Sequence, residues 1–381
     1  MKFSFTDEQQ EFRLMLRRFL EDKSPTIEVR RLMETDSGCD PKVWRQLSLE
    51  LGLTAIHIPE VYGGQGFGIS ELAIAVEEMG RALLCAPYFA STVMAATAIL
   101  KAGTEEQKRA LLPKIAAGEV IATLAFAEEQ GDWAVDCIAA MATPSSNAFQ
   151  LTGTKSFVLD GCTADLIVVV ARKPGSSGED GLCLFTVASD AAGLKKTALK
   201  AVDDTRKLAR LEFENVEATL LGEAGGAAVA LQETLDLSAI CLANEMVGGA
   251  ERLRESSVEY ANLRVQFGRS ISSFQTLKHK AADMLLDVEL AKSAAYYAAA
   301  AVDDGDDDVS ALASLAKASA ADAYMQTAVH TIQIHGGIGF TWDNDTHLWF
   351  KRAKSSEVFL GTPAFHRERM MQNWQEKEAA Q

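Results

Sequence analysis

The order of periodicities along the chain leaves few architectures open. Helical spacing governs the first ~120 residues, β alternation the next ~100, and alanine-rich helical spacing the remainder. Helix and strand do not alternate, which excludes a βαβ-based parallel sheet. The expected class is α+β, with domains at 1–120, 121–225 and 226–381.

In the first part, Phe12, Leu14, Met15, Leu16, Phe19 and Leu20 recur behind a Thr6-Asp7-Glu8 start signal. A second helix is predicted from Pro41 to Leu51, stopped by Gly52, and a third from Ser70 to about Leu83. Between them lies the glycine-punctuated run Ile58 to Gly68. Thr104-Glu105-Glu106-Gln107 reads as an N-cap with an acidic first turn. In the middle part Phe149–Gly153 and Leu208–Phe213 alternate, while Leu166–Val170 and Leu182–Val187 are apolar runs. Turns fall at Gly153, Pro174–Gly178 and Asp190–Gly193, a spacing that predicts a small β-sandwich or barrel. The last part predicts helices from about Gly226 to Gln266, Phe274 to Asp303 and Val309 to His335. The acidic run Asp303–Asp308 reads as a solvated connection between two of them.

Composition narrows the function classes. The chain of 381 residues is 48% hydrophobic and 24% charged, the balance of a globular protein. A formal charge of −16 argues against nucleic acid, which rewards clustered Lys and Arg. The longest aliphatic run, Leu166–Ala171, is far below the ~20 residues of a membrane span. The opening MKFSFTDEQQEF turns acidic at once and carries no apolar signal core, so a cytoplasmic chain is expected. The six cysteines, Cys39, Cys85, Cys137, Cys162, Cys183 and Cys241, form no C-x-x-C pair. His330 and His335 are five apart rather than four, so no metal site is expected. There is no G-x-G-x-x-G for a Rossmann site.

Six segments carry a resemblance. They are GLTAIHIPEVYGGQGFG (Gly52–Gly68), LTGTKSFVLDG (Leu151–Gly161) and DDTRKLARLEFENVE (Asp203–Glu217). The others are LRVQFGRSISSFQTLKHKAADM (Leu263–Met284), QIHGGIGFTWD (Gln333–Asp343) and FLGT (Phe359–Thr362). In this order, on a helix–β–helix layout, they resemble the acyl-CoA dehydrogenase family over nearly the full length. The resemblance implies an N-terminal helical domain, a middle β-domain and a C-terminal four-helix bundle. It implies FAD as cofactor, an acyl-CoA thioester as substrate and electron-transfer flavoprotein as electron acceptor. It also implies a homo-oligomer, or a hetero-oligomer with a second chain of the family, whose FAD sites are shared between chains.

The chemistry of the C-terminal segments agrees with that implication. Arg264 offers a planar guanidinium fork for a pyrophosphate. Gly336 and Gly337 allow close backbone approach, and Gln275 and Gln333 supply both donors and acceptors. Phe267 offers an apolar face. By the resemblance these residues hold the ADP half of FAD, largely that of a neighbouring chain, and Thr362 contacts the flavin.

The catalytic positions depart from the family. Its reaction needs a carboxylate that takes the α-proton while the β-hydride goes to flavin N5. That glutamate usually precedes the last Gly-Thr, where this chain has Leu360. The family's other location, on the long helix after the β-domain, aligns with Ser238, followed by Ala239. Glu245 lies seven residues further, on nearly the same helix face and roughly 10 Å along the axis. It is the candidate relocated base, with an interface or ion-pair glutamate as its other reading. Asp236 and Glu233 are further acidic candidates. The family's flavin-lining Thr-Glu-Pro loop is AFAEEQGDWAVD here (Ala125–Asp136), and its Trp-x-Thr is Phe157-Val158-Leu159. Two readings follow. One is an acyl-CoA dehydrogenase acting within an oligomer, with a bulky acyl group such as a steroid side chain as the expected substrate. The other is a catalytically silent subunit of an α2β2 dehydrogenase that completes its partner's FAD site.

Overall fold

The structure is a computed structural model describing residues 5–131, 133–145 and 148–379. Its first helical stretch holds α1 (Asp7–Lys23), α2 (Thr26–Met33), α3 (Pro41–Arg45), α4 (Ile69–Arg81), α5 (Ala96–Ala102) and α6 (Glu105–Ala116). Strands follow: β1 (Ala122–Ala125), β2 (Met141–Ser145), β3 (Ala148–Leu159), β4 (Leu166–Arg172), β5 (Leu182–Ala188), β6 (Leu194–Leu199) and β7 (Leu208–Leu221). The C-terminal part comprises α7 (Ala227–Leu263), the short strands β8 (Val265–Gln266) and β9 (Arg269–Ser270), α8 (Gln275–Asp303), α9 (Val309–His335), α10 (Thr346–Val358) and α11 (Pro363–Ala379). The expected α+β class and helix–β–helix order are what the chain forms. No helix among the described residues is long and apolar enough to cross a membrane.

Both helix-start signals act as capping boxes. The Thr6 hydroxyl accepts from the Gln9 amide at 3.2 Å, and Gln9 Oε1 accepts from the Thr6 amide at 2.9 Å. Thr104 and Gln107 repeat the arrangement at 3.3 and 3.0 Å. The predicted Pro41–Leu51 helix is only partly α-helical: after Arg45 it widens into a π-helical turn over Gln46–Glu50. Gly52, at φ +66°, then ends it.

The chain folds into two compact units. One comprises the chain up to Arg30, Ile69–Leu84 and everything from Ala239; the other comprises Arg31–Gly68 and Cys85–Ser238. In the second unit, β2, β3, β7, β5 and β4 pair in a ring that closes on itself, so the sheet is a barrel. Strand β1 adds to β4 in parallel and β6 to β7 antiparallel. Ile167, Val169, Phe185, Leu211 and Phe213 fill the interior.

Two β-bulges set which side chains face in. In β7, Asn215 at φ +52° resets the alternation, so the strand continues to Leu221 beyond the predicted end at Phe213. In β3, the register slips between Lys155 and Val158, with Phe157 at φ +58°. In the first unit, Asp303 corrects the reading of its acidic run as merely solvated. Its carboxylate accepts from the Ile69 amide at 2.6 Å and the Ser70 amide at 2.9 Å, capping α4 from 234 residues away.

Candidate functional site

The C-terminal candidates gather round one small apolar knot in the first unit. Helix α7 ends at Leu263 because the next residues form a hairpin, β8–β9, whose turn residues Phe267 and Gly268 have φ +55° and +77°. The expected continuation to Gln266 is therefore strand, not helix. The Arg264 carbonyl accepts from the Ile271 amide at 2.8 Å, which returns the chain to Gln275 at the start of α8. Tyr260 stacks on His335, at the end of α9, with centroids 4.3 Å apart. Ala261, Met284 and Ile334, packed with Tyr260, Ile271, Leu277 and Ala281, fill the space between the three helices. Arg264, Phe267, Gln275, Gln333, Gly336 and Gly337 all flank this knot and are all exposed.

This surface suits a bound anion. A Cβ built at Gly336 or Gly337 would meet nothing within 4 Å, so neither glycine is needed for internal packing. Gly336, at φ +64° and ψ −145°, occupies a conformation essentially closed to other residues. The backbone there is open to approach from outside. Arg264, Gln275 and Gln333, near the ends of the three helices round the knot, leave a guanidinium and two carboxamides exposed as well. Phe267, 91% exposed, leaves a ring face uncovered. These donors fit the ADP half of a dinucleotide.

Thr362 does not join them within one chain. Its loop is held by Lys317, a buried residue of α9 whose ammonium donates to the carbonyls of Glu357, at 2.7 Å, and Gly361. Lys317 precedes Gln333 by sixteen residues, or about 24 Å of helix. The Thr362 hydroxyl accepts from the Phe365 amide at 3.3 Å, capping α11. Leu360 is 5% exposed and left-handed, at φ +60°. Its carbonyl accepts from His366 Nε2 at 2.9 Å. Burial, with Lys317 and Arg369 nearby, pushes the His366 pKa down to about 3, so the ring is neutral at physiological pH.

The acidic candidates are each engaged. Glu245 is buried, and its Oε1 lies 2.8 Å from Nη1 of the equally buried Arg352 on α10. The glycines near it serve helix crossing. A Cβ on Gly80 of α4 would stand 2.1 Å from the Glu245 carbonyl, and one on Gly248 would stand 1.9 Å from the Glu77 carbonyl. In the second unit, the Ser238 hydroxyl donates to the Thr234 carbonyl at 2.7 Å. Glu233 pairs with Lys101 at 2.9 Å, and Asp236 accepts from Gln232 at 3.1 Å.

At the β3 bulge the second unit builds a buried ion pair that the sequence reading missed. Lys155, fully buried, donates to Glu128 at 2.7 Å and to the Phe126 carbonyl at 2.9 Å. Glu128 also accepts from the amides of Ala139 and Ala140 at 3.0 and 2.9 Å. Burial lowers the Lys155 pKa to about 8, against the pull of Glu128. The pair's only sequence signal was a lysine at an inward position of an alternating strand. Phe126, Trp133 and Phe157 follow one another at 5.7 and 6.4 Å between centroids. Leu159 is buried, and its carbonyl accepts from Thr123 at 2.6 Å. Asp132 of the Ala125–Asp136 stretch lies outside the described residues. Buried charge missed by the sequence reading recurs in the first unit. Glu77 accepts from Arg13 at 2.7 Å and from Tyr296 at 2.9 Å, and Arg17 grips Glu78 at 2.8 and 2.7 Å.

Comparison with known proteins decides the family. Residues 6–119 match the acyl-CoA dehydrogenase N-terminal domain and residues 224–374 the C-terminal domain. The acyl-CoA dehydrogenase IpdE2 of Mycobacterium tuberculosis is 34% identical over 335 residues, 88% of this chain and 87% of that protein. The chain belongs to the acyl-CoA dehydrogenase family. Two solved structures share the whole fold. One is a variant of the steroid acyl-CoA dehydrogenase Tcur3481-Tcur3483: TM-score 0.89, 30% identity, 98% of this chain and 99% of that one. The other is the ChsE4-ChsE5 complex from Mycobacterium tuberculosis: TM-score 0.89, 27% identity, 99% of each chain. In this member of the acyl-CoA dehydrogenase family, Phe157 and Leu360, the first residues of the two motifs that depart from the expected pattern, both have a left-handed backbone, at φ +58° and +60°.

Proposed function

We propose that this chain is a subunit of an FAD-dependent acyl-CoA dehydrogenase, that it works within an oligomer, and that its part there is to complete a cofactor site rather than to supply the base. The three-domain division at 1–120, 121–225 and 226–381 belongs to the same reading. Arg264, Gln275, Gln333, Gly336 and Gly337 hold the ADP half of FAD presented by another chain, with Phe267 against its apolar part. Lys317, which holds the Thr362 loop, precedes Gln333 by about 24 Å of helix, so Thr362 does not share the cofactor held by its own chain's Arg264. The chemistry FAD supplies when bound is acceptance of the β-hydride of an acyl-CoA at N5, as a carboxylate removes the α-proton.

The observation that carries the reading is Leu360. It stands where the family places its glutamate, buried, with its carbonyl fixed by His366. A leucine takes no proton, and Ser238, at the other family location, donates its hydroxyl to its own helix. Glu245 as relocated base is the weaker alternative, because Arg352 already engages it. Two similarities support the assembly and the substrate. One similar structure is a complex of two chains, and another is a steroid dehydrogenase. The proposed assembly is α2β2 and the proposed substrate is a thioester of a bulky acyl group, with electron-transfer flavoprotein as acceptor.

The test is a pair of variants in the assembled enzyme. Arg264→Ala is expected to release flavin, and Glu245→Gln to leave substrate bleaching of the flavin intact. Flavin retained by the first, or bleaching lost in a folded second variant, would overturn the proposal.

A further inference from the structure

The β8–β9 hairpin carries a second arginine that the cofactor assignment does not use. Its two-residue turn, Phe267-Gly268, has both φ positive and fixes the pairing. Gln266 stands opposite Arg269 and Val265 opposite Ser270, and the Arg264 carbonyl accepts from the Ile271 amide at 2.8 Å. Side chains alternate across such a ribbon. Arg264, just before β8, and Arg269, at the start of β9, therefore leave by the same face as diagonal neighbours. Diagonal positions lie roughly 7–8 Å apart, within reach of two long side chains meeting at one ligand.

Both arginines are exposed, and neither pairs with a carboxylate among the described residues. Elsewhere in this unit arginines are matched: Arg17 with Glu78, Arg254 with Glu251 and Arg352 with Glu245. Arg269 is nonetheless held in place. Its guanidinium carbon lies 4.1 Å from the centroid of the Phe274 ring, and Phe274 meets Phe267 edge-on at 6.1 Å and 85°. Stacking engages the flat face of a guanidinium and leaves its in-plane N–H donors free. Arg269 is thus ordered without spending its charge or its donors. Like charges this close repel, and an anion between them removes the repulsion. A diphosphate diester carries two negative charges, one on each phosphoryl group. Two guanidinium forks match it in charge and in donor geometry.

We propose, on the reading that this hairpin receives the ADP half of FAD, that Arg269 is a second cation of the site, set in place by Phe274, and neutralises the diphosphate together with Arg264. The experiment is titration of the flavin-depleted assembled enzyme with FAD, followed by flavin fluorescence at low and at high salt. Arg269→Gln is expected to weaken FAD about tenfold or more and to flatten the salt dependence, because one of two charges is gone. Arg269→Lys keeps the charge but not the flat face, and is expected to keep the salt dependence. Arg269 is exposed, so its replacement leaves the apolar knot intact. Three results would each overturn the proposal: parent affinity in Arg269→Gln, weakened affinity there with the parent's salt dependence, or a salt dependence in Arg269→Lys as flat as in Arg269→Gln. Arg264→Ala separates this proposal from the reading beneath it. Flavin released by Arg264→Ala but held at parent affinity by Arg269→Gln rejects the role of Arg269 alone. Flavin retained by Arg264→Ala rejects the cofactor reading itself.

Discussion

Gly336 and Leu360 hold almost the same φ, +64° and +60°, in the same unit, and for opposite reasons. At Gly336 the strained position carries no side chain, lies exposed and faces open space. At Leu360 it carries a large apolar side chain, lies buried, and its carbonyl is held by the chain's own His366. The first is a surface position open to approach from outside the chain. The second is a loop closed over by internal packing. The difference shows how one backbone conformation can serve an open surface in one place and a packed interior in another. Strain of this kind costs about 1–3 kcal/mol per residue and persists only where neighbours enforce it. Lys317 and His366 do so at Leu360.

The largest expected effect concerns Glu245. If its role is to pair with Arg352, Arg352→Met takes the guanidinium partner from a buried carboxylate, at a cost of about 3–5 kcal/mol. The double variant Arg352→Met with Glu245→Leu should recover most of that loss in urea unfolding. A single variant within experimental error of the parent would remove the ion-pair explanation.

Next comes pH. His366 has a folded pKa of about 3 against an ordinary 6.5, so the unfolded chain binds the extra proton between those values. The stability this group contributes is complete above about pH 6.5 and is lost progressively as pH falls towards 3. From about pH 7 to pH 5 the loss is about 2 kcal/mol. His57, lowered to about 4 by burial, adds to the same slope. His366→Gln should flatten that slope without abolishing it. An unchanged slope would mean the ring is not held neutral.

The two strained positions give the smallest effects, and they separate the two regions most sharply. Gly336→Ala should cost about 2 kcal/mol from backbone strain alone, since no clash awaits the methyl. Leu360→Gly relieves about 1–2 kcal/mol of strain but removes a buried leucine worth about 2–3 kcal/mol, a net loss near 1 kcal/mol. A stabilised Leu360→Gly chain would show that packing does not hold the loop.

Much of this was legible in the sequence because it was local. Thr6 with Gln9, and Thr104 with Gln107, announce helix starts within four residues. The switch from helical to alternating spacing placed the β region. What escaped depends on partners distant in the chain. Nothing near Asp303 tells of Ile69, and nothing near Lys155 tells of Glu128. Sandwich and barrel were indistinguishable because closure rests on pairings such as Met141 with Arg172, which alternation does not encode. In the candidate site, the motifs placed Arg264, Gln333 and Gly336 on the chain. Their assembly round Met284, and the remoteness of Thr362, came only from helix packing. The identity of Leu360 was plain in the sequence, but the buried lysine and histidine that hold its loop were not.

The most direct measurement is the visible spectrum of the purified chain, quantified as flavin per chain, alone and after co-expression with a family chain that carries Glu-Gly-Thr. The expected result is little flavin in the chain alone and one FAD for each pair of chains in the complex, lost again with Arg264→Ala. One FAD per chain in the isolated protein, bleached by an acyl-CoA thioester, would contradict the view that this chain completes a partner's site and supplies no base of its own.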